Sequence, residues 1–371
     1  MLALREQEGV LDVEDVDEKT GRKVLEVLER EHPEAREPDA AVNPAGMFAA
    51  KADDPDAVVP LAVTTKTITD IAPKLGQAAA GLLGPDSVSL RNWLIRFGTA
   101  SVGLAEECAA WTCWLANDSP PWAAYRAFMA NRLVALDKQP GVRPVGIGDS
   151  FRRLWAKAVI KVCGYDAMGA TGRHNLCAGL KAGVEGAAHF VRDSVSDDIR
   201  RPWDSGVEEN LRSVFSEDTG VTEGDSRMGL ETIEELMEEL QSEDEEMEAQ
   251  KVKTLGKHAL LVDARNGFNE LNRRVMLWTV RYKWPAASRF VFNCYRHESM
   301  MLVRRQGQDP ITMLSREGVT QGDPLSMLVY GLSVAEIARR IEKEVKDVNQ
   351  CWFADDSAAV GDAKGTGCAH G

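Results

Sequence analysis

The sequence predicts an α+β fold, in which short antiparallel strands are backed by amphipathic helices. Two apolar runs flank the acidic pair at residues 355 and 356, which predicts a hairpin with acid at its tip. A Pro-Gly pair separates two further strand-like runs within residues 132–145. Apolar residues also recur at helical spacing in the first third of the chain. With 371 residues, 44% of them hydrophobic, the chain is long enough to bury a large core.

Residues 1–65 are predicted to form an acidic leader that is largely disordered. Residues 1–60 hold 7 Lys or Arg against 16 Asp or Glu, and five prolines interrupt them. One short helical pattern runs from Val24 to Leu28. The composition otherwise favours a loosely packed segment at the periphery.

The next predicted region, residues 66–190, begins with helices. Apolar residues recur at helical spacing over residues 67–83 and again over residues 89–115, which predicts two amphipathic helices. Pro120 and Pro121 end this pattern. The first part of the region is therefore expected to be a helical extension.

A basic hairpin and a basic helix follow. The hairpin carries Lys138 and Arg143 near its turn, where both can reach an anionic ligand, although ordinary surface charges are the alternative. The helix after it carries Arg153 and Lys157. Residues 121–190 hold 10 Lys or Arg against 4 Asp or Glu, so this segment is the one best suited to face phosphates.

Residues 191–252 are predicted to be an acidic insertion, disordered or loosely helical. Residues 191–250 hold 5 Lys or Arg against 20 Asp or Glu, and no continuous apolar face runs through them. The formal charge of the chain is −14, so the part outside the leader and the insertion is basic. An anionic partner is therefore compatible with the negative total.

The last region, residues 253–371, alternates strands and helices. An apolar strand runs from His258 to Val262 and ends at Asp263. The elements after it are a helix at 272–282, short strands at 300–303 and 311–314, a glycine-containing loop from 317, and a long apolar helix reaching about 345.

The acidic pair Asp355 and Asp356 is costly for a fold, because like charges at close range raise each other's pKa. A divalent cation removes this cost, since Mg²⁺ is held by carboxylate oxygens. A solvated turn is the alternative. Asp263 supplies a third acid, because a carboxylate at the end of a buried strand needs a cation to face it. Together these residues predict a two-metal site.

Composition also bears on the cellular location. No apolar run approaches the roughly 20 residues of a membrane span, and Arg5, Glu6 and Glu8 lie where a secretion signal would be apolar. The 7 cysteines, an odd number without a CxxC pair, indicate reduced thiols. We expect an intracellular protein, with the nucleus and the cytoplasm both open.

Taken in order along the chain, these features resemble the reverse transcriptases of retroelements, of the non-LTR type. DARNGFNELNR resembles the first catalytic palm motif of that family, GVTQGDPLSMLVYGL the second and FADD the third. RPVGIGDSFRRLWAK is similar to the fingers motifs. The resemblance covers about residues 85–190 and 255–362, and the shared order makes it specific.

The resemblance implies an RNA-directed DNA polymerase, with RNA template, DNA primer and dNTP as its partners and no membrane. Asp263, Asp355 and Asp356 would be catalytic and would hold two Mg²⁺ ions, with Mn²⁺ as the alternative. The implied substrate contacts are Phe268 against the ribose 2′ position, Gln321 and Gly322 at the incoming nucleotide and template base, Arg143 on the triphosphate, and Lys138, Arg153 and Lys157 as auxiliaries.

The implied fold is a polymerase right hand, with a palm sheet backed by helices and a fingers region of helices and a hairpin. Residues 66–190 would hold the fingers and residues 253–371 the palm. The family continues beyond the Asp-Asp hairpin into a helical thumb, so we expect the thumb to be absent here and the palm to be incomplete. The alternatives are a catalytically inactive nucleic-acid-binding remnant or fragment of a retroelement polyprotein, and an acidic scaffold that uses residues 191–250.

Overall fold

The computed structural model describes residues 9–38, 59–176, 183–195, 257–305, 308–346 and 348–362. The strands are β1 (Val10–Leu11), β2 (Asn131–Asp137), β3 (Val142–Gly148), β4 (Lys257–Asp263), β5 (Ser299–Val303), β6 (Ile311–Ser315), β7 (Val348–Phe353) and β8 (Asp356–Asp362). The helices are α1 (Val24–Glu31), α2 (Thr65–Ile71), α3 (Ser87–Ile95), α4 (Thr99–Asn117), α5 (Arg126–Met129), α6 (Ser150–Thr171), α7 (Gly183–Val195), α8 (Gly267–Glu270), α9 (Arg273–Lys283), α10 (Pro285–Tyr295) and α11 (Ser326–Glu344). The fold is mixed α/β.

The first sheet has five strands and is built around β2. Strand β3 runs antiparallel along one edge of β2 over its whole length, which confirms the hairpin predicted in residues 132–145. The other edge is shared: β5 pairs in parallel with residues 131–133, and β1 pairs antiparallel with residues 135–136. Strand β6 extends the sheet antiparallel to β5.

The second sheet has three strands in the order β4, β8, β7. Strand β8 is antiparallel to both neighbours, and its first residue, Asp356, pairs with Phe353 of β7. The hairpin predicted at the acidic pair is therefore confirmed, with Ala354 and Asp355 as its turn. On the other side of β8, Asp356 lies opposite Asp263.

Most of the helices share one large hydrophobic core. Helix α4 packs on α2, α6 and α10, while α11 packs on α6, α9 and β7. Trp284 is fully buried there, and its indole N–H donates to the carbonyl of Cys163 at 2.7 Å. The core reaches Phe268 and Ala354, so the acidic end of the second sheet rests on packed helices.

The prediction of a largely disordered leader is wrong for residues 9–38, which belong to the folded unit. Strand β1 pairs with β2, and helix α1 buries Val24, Val27 and Leu28. Of these three side chains, Val24 and Leu28 share a smaller core with strand residues of the first sheet. Their spacing of three and one residues places them on one helix face, which explains why so short and acidic a helix docks.

We expect Leu28→Ala to destabilise the chain by about 2–5 kcal/mol, because Leu28 is fully buried in the smaller core. Urea denaturation measures this loss. The matched control is Leu83→Ala, at a side chain that is 61% exposed, where the expected change is below about 0.5 kcal/mol. Equal effects of the two substitutions would show that residues 9–38 contribute little to the fold.

Two helix predictions need correction. The helix predicted over residues 67–83 covers only Thr65–Ile71, because Thr64 caps its start and Pro73 follows its end. The helix predicted over residues 89–115 is divided into α3 and α4. Gly98 lies between them with φ +56°, a left-handed conformation that favours glycine.

The segments predicted as fingers and palm share the first sheet. Strands β5 and β6, which we expected in the palm, belong to the sheet of the predicted fingers hairpin. The reason is the parallel pairing of β2 with β5, a contact between segments about 170 residues apart in sequence that no local pattern reveals. Residues 191–195 of the predicted acidic insertion lie in α7, and the rest of the insertion lies outside the described residues.

Candidate active site

The three aspartates of the predicted site meet at one end of the second sheet. Asp263 is the last residue of β4, and its Cα partner across the sheet is Asp356. Residues paired in this way project from the same face of a sheet, with Cβ atoms about 4.5–5.5 Å apart. The carbonyl of Asp355 accepts a hydrogen bond from the backbone N–H of Ala264 at 2.9 Å, which ties the turn to the end of β4.

The turn itself is tightly constrained. Ala354 has φ +55°, an uncommon conformation for a residue other than glycine. Gly267, at the start of α8, lies so close to the turn that a Cβ there would come within 3.0 Å of the Asp355 Cβ. The position of Asp355 is therefore restricted by the hairpin and by the close approach of Gly267.

The electrostatics of Asp356 reflect this crowding. Burial is the largest cause that raises the pKa of Asp356, and the charges of Asp355 and Asp263 raise it further. Lys138 opposes them and lowers it. The three acids therefore repel one another, and the cation that moderates the repulsion comes from the β2–β3 hairpin.

The donor set suits a divalent cation, because Mg²⁺ prefers carboxylate oxygens and relieves repulsion between them. The described side chains do not contain three or more His, Cys, Asp or Glu groups already gathered around one point. Strand register brings the backbones of Asp263 and Asp356 together, so side-chain rotation is what would bring their oxygens to one ion. The residues present fit the metal by chemistry and by register.

Asp356→Asn is expected to raise the melting temperature at pH 7 in metal-free buffer. The folded state binds the Asp356 proton more tightly than the unfolded chain does, so ionisation of this group weakens folding. The gain from the substitution should therefore shrink as the pH falls through the raised pKa towards the ordinary value of 3.8. Thermal unfolding between about pH 4 and pH 8 measures this dependence.

The control for this prediction is Asp118→Asn, at an exposed carboxylate where α4 ends. Mg²⁺ should also raise the melting temperature of the parent chain more than that of Asp356→Asn, because the variant offers one carboxylate fewer. If Asp356→Asn raised the melting temperature by the same amount at every pH, the coupling between the acids would be contradicted.

The structure separates the two cations of the basic hairpin. Lys138 is exposed in the turn between β2 and β3 and acts on the charge of Asp356. Arg143 is exposed on β3 opposite Leu136. Within the described ranges, no hydrogen bond or ion pair joins Arg143 to the three acids. Lys138 is therefore the hairpin cation that the structure brings to them.

The loop with Gln321 and Gly322 rests against β3. The carbonyl of Gln321 accepts a hydrogen bond from the N–H of Gly146 at 2.9 Å. Gly322 has φ +101°, and a Cβ on it would lie 2.8 Å from the carbonyl oxygen of Gly146. Only glycine fits this close approach, so the predicted loop and the predicted hairpin form one surface.

Phe268 lies under this loop. It is buried, its ring packs on that of Tyr330 with centroids 4.8 Å apart, and its carbonyl accepts from the N–H of Val319 at 2.8 Å. Phe268 therefore connects the segment after Asp263 to the loop that begins at residue 317.

Arg153 and Lys157 lie in a separate, half-buried basic cluster with Arg132. Arg153 donates to the carbonyl of Ala79 at 2.6 Å. Burial lowers the pKa of Arg153, and the charge of Arg132 lowers it further. Burial also lowers the pKa of Lys157, and the charge of Arg153 lowers it further. Within the described residues, neither Arg153 nor Lys157 contacts the three acids.

Sequence reasoning missed two buried arginines beneath the Gln321 loop, Arg152 and Arg273. One signal was visible for Arg152, since it falls on the apolar stripe of α6, three residues before Trp155 and seven before Val159. A charge on such a stripe indicates a buried partner. Arg273 is the last residue of the DARNGFNELNR motif, but nothing in that motif indicates that its side chain is buried.

Comparisons with known proteins give the following results. No protein-family model and no curated protein matches the chain. Apo telomerase from Candida tropicalis truncated from its C-terminal domain aligns at 12% identity and TM-score 0.39, over 66% of this chain and 45% of that one. Apo telomerase from the same organism aligns at 11% identity and TM-score 0.40, over 67% of this chain and 42% of that one. Telomerase from Candida albicans, in complex with a TWJ fragment of telomeric RNA, aligns at 9% identity and TM-score 0.39, over 65% of this chain and 39% of that one. The chain spans less than half of each of these proteins.

Among the described helices, none combines the length and the apolar character that crossing a membrane requires.

Proposed function

We propose that the chain is an RNA-directed DNA polymerase of the retroelement type, which transfers a nucleotide from a dNTP to a primer 3′ hydroxyl. One observation carries the proposal: Asp263 and Asp356 are strand partners, Asp355 forms the turn beside them, and Lys138 of the β2–β3 hairpin acts on the charge of Asp356. Three acids with a facing cation suit the transfer of a phosphoryl group. The order of the sequence motifs supports the same conclusion.

The residues have distinct tasks in this proposal. Asp263, Asp355 and Asp356 would together hold two Mg²⁺ ions. Bound Mg²⁺ would supply activation of the primer hydroxyl and neutralisation of charge on the triphosphate. Phosphoryl transfer asks the protein mainly for positioning and charge, so no nucleophilic side chain is needed.

The substrate would lie between the acids, the hairpin and the loop. Lys138, whose charge lowers the pKa of Asp356, would bind the triphosphate, and Arg143 of β3 would be a second cation on the same hairpin. Gln321 and Gly322 would support the nucleotide and template base from the loop docked on Gly146. Phe268 would limit the space at the ribose 2′ position.

Phe268→Val is expected to raise incorporation of ribonucleotides relative to deoxyribonucleotides by about 10–100-fold, because the smaller side chain leaves room for a 2′ hydroxyl. Primer extension with each nucleotide type alone measures the ratio. The control is Phe151→Val, at a half-buried ring in α6 that packs on Trp155. An unchanged ratio in Phe268→Val would remove this residue from the proposed nucleotide pocket.

The experiment that tests the proposal is primer extension on a homopolymer RNA template with Mg²⁺. The parent chain is compared with the double variant Asp355→Ala, Asp356→Ala. Extension by the parent that disappears in the variant supports the polymerase. Extension of equal rate in both would refute the assignment of the acids, and no extension by a folded parent would refute the activity of this chain alone.

A second candidate function is nucleic-acid binding without catalysis, and the basic cluster of Arg132, Arg153 and Lys157 favours it. The Nε and Nη2 atoms of Arg132 are buried without a hydrogen-bond partner among the described residues. Such donors suit phosphate oxygens. RNA binding that falls steeply with salt, and is weakened by Arg153→Gln, Lys157→Gln in a chain without extension activity, would support this candidate.

A further inference from the structure

Two arginines lie almost completely buried beneath the loop of residues 317–325, here called the Gln321 loop. Arg152 of α6 is 4% exposed, and Arg273 of α9 is 6% exposed. A buried guanidinium is costly unless it is paired and hydrogen-bonded. The hydrogen-bond and ion-pair partners of these two arginines therefore indicate which part of the protein their burial stabilises.

Arg152 holds the C-terminal half of the Gln321 loop. Its Nη2 forms an ion pair and hydrogen bond with the Asp323 carboxylate, and both side chains are buried. The same carboxylate accepts from the Tyr295 hydroxyl and from the N–H of Leu325 at 3.0 Å. Burial raises the pKa of Tyr295, so its hydroxyl stays protonated and remains a donor.

Arg273 holds the N-terminal half of the same loop. Its guanidinium donates to the carbonyls of Ser315 at 3.0 Å, Glu317 at 2.8 Å and Gly318 at 3.2 Å. Its backbone N–H donates to the Glu317 carboxylate at 2.6 Å. These bonds fix three carbonyls with one planar side chain, which the fork geometry of arginine permits.

Tyr295 connects the two halves. The Arg152 guanidinium lies 5.5 Å from the centre of its ring, and the Arg273 guanidinium lies 5.7 Å from it. Residues 320–322 are the part of the loop between the two anchored halves, and they meet β3 through the bond from Gly146 to Gln321. The loop is thus held at both ends, with Gln321 and Gly322 between the anchors, where the loop contacts β3.

We propose that Arg152 and Arg273 are positioning residues, which set the placement of Gln321 and Gly322 and so determine how tightly the site binds its nucleotide. The inference rests on the proposed polymerase function for the identity of the ligand. The alternative is a purely structural role, in which the arginines stabilise the fold without affecting the loop.

The decisive variant is the double substitution Arg152→Met, Asp323→Leu in the full chain. Replacing a buried ion pair by apolar side chains of similar volume is often neutral for stability, so any fall in the melting temperature should come from the Tyr295 hydroxyl and the Leu325 N–H, which lose their acceptor. The loop, however, loses its anchor to α6. We expect amide hydrogen exchange of residues 317–325 to become about 10-fold faster and the KM for dNTP to rise about 10-fold, with a smaller change in kcat.

The matched control is Arg289→Met, which removes an equally buried arginine of α10 that donates to Ser119 Oγ at 2.8 Å, away from the loop. It should lower the melting temperature without affecting loop exchange or KM. Tyr295→Phe is the milder variant, which removes only the hydroxyl donor to Asp323. It decides the question if the double variant does not fold, with an expected exchange about 3-fold faster.

Faster exchange confined to residues 317–325, with a raised KM, supports the proposal. Parent-like exchange in a folded double variant, or in Tyr295→Phe when the double variant does not fold, overturns it. The same changes in Arg289→Met also overturn it. Hydrogen exchange needs no catalysis, so a parent chain that incorporates no nucleotide refutes the polymerase while exchange still decides the positioning role.

Discussion

Asp263→Asn should reduce nucleotide incorporation by about 10³-fold, a loss of about 4 kcal/mol in transition-state stabilisation, while the chain stays folded. Asparagine keeps the shape of the side chain but removes the charge that would hold a metal ion. Asp263 is exposed and lies opposite Asp356, so the substitution also relieves repulsion between the two acids. Single-turnover primer extension measures the rate.

The stability readout makes this prediction specific. Loss of activity by misfolding would lower the melting temperature, whereas loss of a repelling charge should leave it unchanged or raise it. Asp118→Asn, at an exposed carboxylate in another part of the chain, is the control and should keep full activity. If Asp263→Asn keeps more than about a tenth of the parent rate, Asp263 is not part of the catalytic set.

Local patterns in the sequence were sufficient to predict both hairpins and the strand ending at Asp263, although the burial expected for that strand is wrong, since Leu261 is 70% exposed. Each of these elements is defined by residues close in sequence: apolar alternation, a turn residue, and a charge at the strand end. The antiparallel pairing of β7 with β8 follows from a two-residue turn, which fixes register. The meeting of Asp263 with Asp356 depends on a long-range pairing, and the family resemblance was what pointed to it.

Elements stabilised by distant contacts were missed or misplaced. Strand β1 has only two residues and forms because β2 offers it a free edge. The acidic composition around α1 concealed a buried face formed by Val24 and Leu28. Leader residues also bond directly to the region after Asp263: the Asn266 side chain donates to the Glu31 carbonyl at 2.9 Å. Composition averages over such contacts and cannot reveal them.

For the candidate site, the sequence predicted residue types better than spatial partners. Lys138, in the β2–β3 turn, acts on the charge of Asp356, whereas Arg153 and Lys157 lie on α6 in a cluster with Arg132. The cations that give residues 121–190 their net positive charge therefore lie on two surfaces. One surface is near the acids and the other is apart from them. Only the folded topology divides the cations between these surfaces.

Gly318→Ala should be among the most damaging single substitutions in the chain. Gly318 has φ +63°, and a Cβ there would lie 2.1 Å from the carbonyl oxygen of Phe268 and 2.5 Å from the Cα of Asn269. Both are backbone atoms, so no side-chain rotation relieves the overlap. Left-handed strain and overpacking together should cost about 3 kcal/mol or more.

The substitution should also reduce incorporation by about 100-fold, because it separates the Gln321 loop from the segment that follows Asp263, and a displacement of about 1 Å can have that effect. The melting temperature and the single-turnover rate measure the two consequences. Gly103→Ala is the matched control: Gly103 lies inside α4 with nothing within 4 Å of an added Cβ, so alanine should stabilise it by about 0.5–1 kcal/mol. If Gly318→Ala behaves like Gly103→Ala, the loop has room to move away from Phe268, and its close packing against that residue is not what shapes the site.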